Sequence, residues 1–303
     1  MEKIRIRVPA TSANCGPGYD TLGVACTLYN ELSFELLPSS AGLILEVSGE
    51  GGEYLAASED NLAFKSFFSV WRSAQPDDIG LKISMKNNIP MSRGLGSSSS
   101  AIVAGVYAAN ILCGSKFSQT ELLNFATAIE GHPDNVAPAL LGGFTISYME
   151  DDKAHSLSFK PSLPLKLIAA VPEQKLATSL ARKAIPQQIK HTDAVFNVSR
   201  ASLLVAALMS GSGQHLAAAL EDRLHQPYRA HLIPGLQDVF AAAKEAGAYN
   251  AIISGAGSTV MAYAAVDAEH AKIASAMQQA FTVHGQKCQT HILDIDYHGV
   301  CQF

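Results

Sequence analysis

The sequence predicts an α+β fold divided into two units. Apolar–polar alternation marks strands in both halves of the chain, and apolar residues at helical spacing mark helices among them. Several strands follow one another with no helix between, an order that disfavours a doubly wound parallel sheet. A length of 303 residues with 48% apolar content supports about two domains with cores of their own.

In chain order, residues 4–8 alternate as a strand and run into a polar, glycine-rich loop over 9–18. Residues 28–37 and 43–47 read as the strands of a hairpin joined through 38–42. Residues 61–74 have helical spacing that buries Leu62, Phe64, Phe67, Phe68 and Trp71, and 81–86 alternate as a strand. The segment after Arg93 enters an alanine-rich helix reaching Cys113. Ser118, with Glu121 three residues on, makes the capping box of a helix that ends near Glu130. Residues 142–149 and 156–159 form a second strand pair. The proline-spaced stretch 160–164 reads as a linker, which divides the chain into units 1–163 and 164–303. The second unit reads as a strand at 165–171, then helices near 176–184, 192–210, 215–220 and 236–246. A strand at 250–254, a glycine turn, a strand at 260–265, a helix at 268–281 and a strand at 287–293 follow.

A net charge of −5 gives the chain no general attraction to nucleic acid or to an anionic membrane. An anionic ligand therefore needs a local positive site. The opening MEKIRIRVPA lacks the apolar core of a signal peptide, and runs such as 201–209 and 260–266 are shorter than a bilayer span. The five cysteines (Cys15, Cys26, Cys113, Cys288, Cys301) are odd in number and form no CxxC pair. They read as thiols of a reducing, cytoplasmic protein, not as a disulfide frame or a zinc site.

Three separate segments combine glycine with small hydroxyl or amide side chains. The first, 9–20, follows a strand and presents Thr11, Ser12, Asn14 and Asp20; alone it reads as an ordinary loop. The second, Arg93-Gly-Leu-Gly-Ser-Ser-Ser-Ser100, opens a helix. Free N–H groups at a helix start, a glycine turn and several hydroxyls make an anion cradle fit for a polyphosphate. Capping needs one serine, and four stand here. No lysine completes a Walker A loop, and neither the third glycine nor the distal acid of a dinucleotide fingerprint is present. The third, Ser254-Gly-Ala-Gly-Ser-Thr259, lies between two strands and alone reads as a hairpin turn.

In this order, VPATSANCGPGYDTLG (8–23), PMSRGLGSSSSA (90–101) and SGAGSTV (254–260) resemble the motifs of the GHMP kinases. The first motif is most similar to that of the homoserine kinases, as are 130–138 with 142–144 and Gln226-Pro-Tyr-Arg229 ahead of Pro234-Gly235. The resemblance spans nearly the whole chain. Cys15 stands where that family usually has Leu, Tyr19 where it has Phe, and Ser258 where it has Pro.

The resemblance implies an N-terminal domain like ribosomal protein S5 domain 2 and a ferredoxin-like C-terminal domain. It also implies a cytoplasmic ATP- and Mg2+-dependent kinase, commonly a homodimer, that phosphorylates L-homoserine for threonine biosynthesis. Gly94, Leu95, Gly96 and Ser97 would cradle the phosphates through backbone N–H groups, with Pro90, Arg93, Ser98, Ser99 and Ser100 in the same ATP site, Asn61 and Lys86 near the adenine, and Gly255 and Gly257 of the third turn also at the ATP. Ser98 and Glu130 would be the protein's Mg2+ ligands, hard oxygens of the kind that ion prefers. Asp20 would take the ammonium, Arg182 and Arg229 the carboxylate, and Asn14 and Asn135 would orient the hydroxyl and ammonium. No general base is evident, since a carboxylate paired with an ammonium is a weakened base; His132 is a candidate. A mevalonate- or sugar-directed member of the superfamily, or a non-catalytic nucleotide-binding regulator, stays open. The first leaves Asp20 and the two arginines unexplained together, and the second leaves Ser98 and Glu130 unexplained.

Overall fold

Strands of the first unit assemble in an order that local pattern does not reveal. The computed structural model describes residues 3–52, 55–75 and 77–303. The first unit runs β1 (Lys3–Ala13), β2 (Leu22–Leu37), β3 (Leu43–Gly49), α1 (Leu62–Ala74), β4 (Gly80–Asn87), α2 (Ser97–Leu112), α3 (Gln119–Glu130), α4 (Pro133–Leu141), β5 (Phe144–Glu150) and β6 (Lys153–Phe159). The second runs β7 (Leu165–Pro172), α5 (Thr178–Lys183), α6 (His191–Ser210), α7 (Leu216–Ala219), α8 (Gln226–Arg229), α9 (Leu236–Glu245), β8 (Asn250–Ile253), β9 (Val260–Ala265), α10 (His270–Val283) and β10 (Cys288–Leu293). A last short strand, β11 (Cys301–Gln302), returns to pair with β1.

The first sheet has the order β11-β1-β2-β4-β3, with β5 pairing both β2 and β6. The expected hairpin of residues 28–37 and 43–47 does not form. Strand β4 lies between β2 and β3, antiparallel to one and parallel to the other. Alternation identifies a strand but not its partner, and here α1 carries the chain across so that β4 enters between them. The second sheet is antiparallel throughout, in the order β10-β7-β9-β8. Helices lie between β7 and β8 and between β9 and β10, which is the ferredoxin-like split arrangement.

The loop expected over 9–18 is half strand. β1 continues buried to Ala13, with a register shift between Pro9 and Ala10 that suits a proline without an N–H to donate. Helix α4 also carries no clear sequence signal, because Pro138 sits inside it. Its Pro133 occupies the first turn, where a missing N–H costs nothing.

Among the described residues, apolar side chains collect into three cores. Ile6, Val8, Phe34 and Ile83 of the first sheet pack under Phe64, Phe67, Ile102 and Val106 of α1 and α2. A second core joins the units: Ala10, Val24, Ile89 and Leu95 meet Leu165, Leu167, Ile252 and Tyr263. A third fills the other face of the second sheet, where Ile168, Ile253 and Val260 meet Val239, Ile273, Met277 and Phe281. Strand β7 is thus apolar on both faces, one per core. At 20 residues, with a mean hydropathy of 1.2 over an 18-residue window, α6 is by length and composition long and apolar enough to cross a membrane, which its apolar runs taken singly are not. Its Leu204 and Leu208 belong to the core between the units, and its Arg200 and Asp193 pair with Glu221 and Arg223.

Candidate active site

All three glycine segments meet at one place, although the first and third lie 242 residues apart where Ser254 and Ser12 touch. The Ser254 hydroxyl sits 2.9 Å from that of Ser12 and 2.6 Å from the Gly94 carbonyl oxygen. The Thr11 N–H donates to the Leu95 carbonyl at 3.1 Å, and the Thr259 N–H to that of Arg93 at 3.1 Å. The middle turn is clamped between its neighbours, and this dictates its glycines. Gly94 and Gly96 have φ of +80° and +70°, and a Cβ on Gly96 would lie 2.0 Å from the Thr11 Oγ1.

A cleft of roughly 330 Å³ opens over this junction, lined by both units. Its floor is the start of α2. The N-cap there is Gly96, which has no side chain to satisfy the first-turn N–H groups, so no side-chain cap closes this helix start. None of the four serines is the cap, and the hydroxyls of two of them are engaged elsewhere. Ser100 donates to the Ser97 carbonyl and accepts from Asn30, facing away from the cleft. Ser99 donates to Glu130 Oε1 at 2.8 Å. Ser98 is exposed and lines the cleft together with Glu130. Burial pushes the Glu130 carboxyl above its ordinary range, against the Ser99 hydrogen bond and the nearby His132.

The far end of the cleft is dense in charge. Arg182 makes a two-pronged pair with Asp20, Nη2 to Oδ1 at 2.7 Å and Nη1 to Oδ2 at 3.0 Å. Nη1 also donates to the Tyr19 hydroxyl at 3.0 Å. The Tyr19 ring lies 5.6 Å from the Arg182 guanidinium carbon and 5.3 Å from that of Arg229. Burial opposes the charge on Arg182, but Asp20 outweighs it and holds the guanidinium above its ordinary range. Arg229 is only 2% exposed, and burial moves it the other way.

Asn14 and Asp20 both hold left-handed backbone, with φ of +67° and +55°, and the Asp20 N–H donates to Asn14 Oδ1. Asn14 in turn donates to the Gly255 carbonyl at 2.8 Å, and Asn135 accepts from the Thr11 hydroxyl at 2.8 Å. His132 bonds Asp134 through Nδ1. Burial works against a charged His132, yet Asp134 prevails and raises it above the usual histidine range.

The cleft gathers Asn14, Asp20, Asn61, Pro90, Gly94 through Ser99, Glu130, Asn135, Arg182, Arg229 and Gly255. Four expected nucleotide residues lie outside its lining. Lys86 is on the opposite side of β4 from Met85 and Asn87, because strand side chains alternate, and sits 3.9 Å from Glu31. Arg93 turns to the second unit, donating to the Pro172 and Glu173 carbonyls and pairing with Glu50. Ser100 faces Asn30, and Gly257 packs against Ile233 and Ile253. The wall beside Asn61, formed by Leu55, Leu62, Met85, Asn87 and Met91, gave no sequence signal, because its members come from separate elements. Tyr19 was visible only as a family departure, and Asp134 only as part of a motif.

Models of the GHMP kinases N terminal domain and of the GHMP kinases C terminal domain match residues 61–143 and 204–283. A homoserine kinase of Trichormus variabilis is 40% identical over 300 residues, covering 99% of this chain and 98% of the relative. The chain belongs to the homoserine kinase family. A family member from Synechococcus is 42% identical over 98% of this chain and 97% of its own. The crystal structure of the homoserine kinase of Cytophaga hutchinsonii superposes with a TM-score of 0.90 at 30% identity, over 100% of this chain and 98% of that one. Membership is thus of this family and not merely of the superfamily that also holds mevalonate and sugar kinases.

Proposed function

We propose that this chain transfers the γ-phosphoryl group of ATP to the hydroxyl of L-homoserine, yielding O-phospho-L-homoserine and ADP. One observation carries the reading beyond kinship: an uncapped helix start shares a cleft with a carboxylate and two guanidinium groups placed to receive an amino acid. A phosphate needs the first feature and a zwitterion needs the second.

The N–H groups of Gly94–Ser97 and the positive end of α2 hold the triphosphate. Asn61, Met85 and Asn87 face the adenine end. Ser98 and Glu130 suit Mg2+: both supply hard oxygen, and Glu130 Oε2 has no partner among the described residues while Ser99 engages Oε1. When bound there, Mg2+ neutralises charge on the phosphoryl oxygens.

At the other end the substrate exchanges partners with an internal ion pair. Its ammonium replaces Arg182 on Asp20, and its carboxylate takes the freed fork of Arg182 together with Arg229. Asn14 and Asn135 orient the hydroxyl and ammonium, each fixed by a second bond to Gly255 or Thr11. In the transfer, the hydroxyl oxygen bonds to the γ-phosphorus as the bond to the ADP oxygen breaks, and the hydroxyl proton passes to a phosphoryl oxygen. Positioning and charge neutralisation supply the rate.

A place in threonine biosynthesis, a cytoplasmic location and a homodimer are part of the same proposal, the last checked by light scattering. The activity is tested by coupled ADP release with Mg-ATP and, in turn, L-homoserine, mevalonate, galactose or no acceptor. Turnover is expected with L-homoserine alone. Equal ADP release without acceptor, or a preference for mevalonate or galactose, sinks the assignment.

A further inference from the structure

Behind the amino-acid end of the cleft lies a histidine that the mechanism above does not use. His225 is 0% exposed, and both ring nitrogens are engaged. Nε2 is 2.8 Å from the Gly16 carbonyl oxygen, and Nδ1 is 3.2 Å from Arg229 Nη1. A carbonyl oxygen only accepts and a guanidinium only donates, so these partners dictate one neutral tautomer with its proton on Nε2. Burial lowers the His225 pKa in the same direction, and Arg229 adds to that against Asp222.

The ring is itself anchored. The buried Asp222 carboxylate accepts from the N–H groups of Leu224, His225 and Gln226 and from Asn197 Nδ2, which fixes the turn leading into α8. The Arg229 Nε donates to the Ala181 carbonyl, and Nη1 is shared between His225 and the Gly255 carbonyl. Nη2 has no hydrogen bond among the described residues, on a side chain that lines the cleft. The Gly16 turn stands between Asn14 and Asp20 in the chain.

We propose that His225 is a positioning residue that ties the turn bearing Asp20 to the guanidinium of Arg229, and thereby sets the spacing between the groups that grip the ammonium and the carboxylate. This rests on the reading of Arg229 as a carboxylate ligand. His225 touches no substrate atom; it acts through its two neighbours, and it selects for an acceptor whose charges are separated as in an α-amino acid.

The test is steady-state kinetics, with L-homoserine and ATP varied separately, on His225→Phe, His225→Asn, Arg229→Gln and the double variant His225→Phe/Arg229→Gln. Thermal unfolding is followed for each. The phenyl ring keeps the shape and loses both bonds. The asparagine amide oxygen falls near Nδ1 and keeps the acceptor facing Arg229. His225→Phe is expected to raise the KM for homoserine about tenfold or more, the scale of one charged hydrogen bond, and to leave the KM for ATP unchanged. His225→Asn, which keeps the contact to Arg229 and loses that to Gly16, recovers only part of that loss, and the double variant is no worse than Arg229→Gln alone. Equal rises in both KM values, equal behaviour of Phe and Asn, or additive effects in the double variant overturn the proposal. An unchanged homoserine KM in Arg229→Gln defeats the carboxylate reading itself, and the proposal with it. If His225→Phe does not fold, His225→Gln, which reaches Gly16 but lacks the acceptor facing Arg229, replaces it.

Discussion

Arg182 and Asp20 satisfy one another across the cleft, so under the proposed function each gives up a partner when an amino acid binds. Arg182→Ala is expected to raise the KM for L-homoserine about tenfold and leave that for ATP unchanged. The lower end of the range for a charged contact applies because the side chain is 36% exposed. Equal loss for both ligands removes the assigned role. Glu130 poses a different problem, because burial favours its neutral form. Turnover should fall as pH drops through the raised pKa, where the carboxyl takes up a proton and ceases to be a ligand. Glu130→Gln should lower kcat by about two orders of magnitude, the scale for losing a group that stabilises transition-state charge. A pH–rate profile of both proteins checks this, since the acid limb due to Glu130 must vanish in the variant. The shift also has a sign for stability. A folded-state pKa above the unfolded one gives stability that is full below the unfolded value and lost as pH rises through the folded one. The carboxylate therefore costs stability near neutral pH. These candidates came from the resemblance to the family's motifs. What residue type could not tell was that Asp20 and Arg182 are each other's partner, since 162 residues separate them.

Two helix starts in the first unit have opposite designs. Ser118 and Glu121 close the start of α3 on itself, as the spacing of the two residues predicts. Gly96 leaves α2 open. Ser118→Ala should cost about 1 kcal/mol of stability with no effect on nucleotide affinity. Gly96→Ala should cost about 1–3 kcal/mol and weaken ATP binding as well, because the left-handed φ and the Thr11 contact both oppose a Cβ. Chemical denaturation and nucleotide titration separate the two cases; a Gly96→Ala protein with unaltered ATP affinity contradicts the cradle. The capping box was readable because all its atoms lie within one turn. The glycine cap was not, because the serine run invites the opposite reading, and it is the left-handed φ and the closeness of Thr11 that force glycine there. Strand pairing has the same character: residues 28–37 and 43–47 were readable as strands, but β4 enters between them from 37 residues beyond the start of β3.

At the scale of the molecule, the units are held together by a common core and by polar ties across the cleft's back wall. Arg93 is one such tie, with the Pro172 and Glu173 carbonyls on one side and Glu50 on the other. Arg93→Ala should lower the midpoint of thermal unfolding and leave the KM for ATP unchanged, where a phosphate ligand would do the reverse; scanning calorimetry beside initial rates decides. We place the boundary between the units at 163/164, with the last strand reaching back to the first sheet.

The sequence by itself determined the α+β class, most elements and the family, because these depend on local periodicity and on motifs of a few adjacent residues. Tertiary structure alone decided that three glycine segments form one junction, that Lys86 and Arg93 turn away from the cleft, and that His225 stands behind Arg229. Those outcomes depend on which strand pairs with which and on which face a side chain emerges from. Both are set by burying apolar surface across the whole chain, and no short window of sequence contains that information.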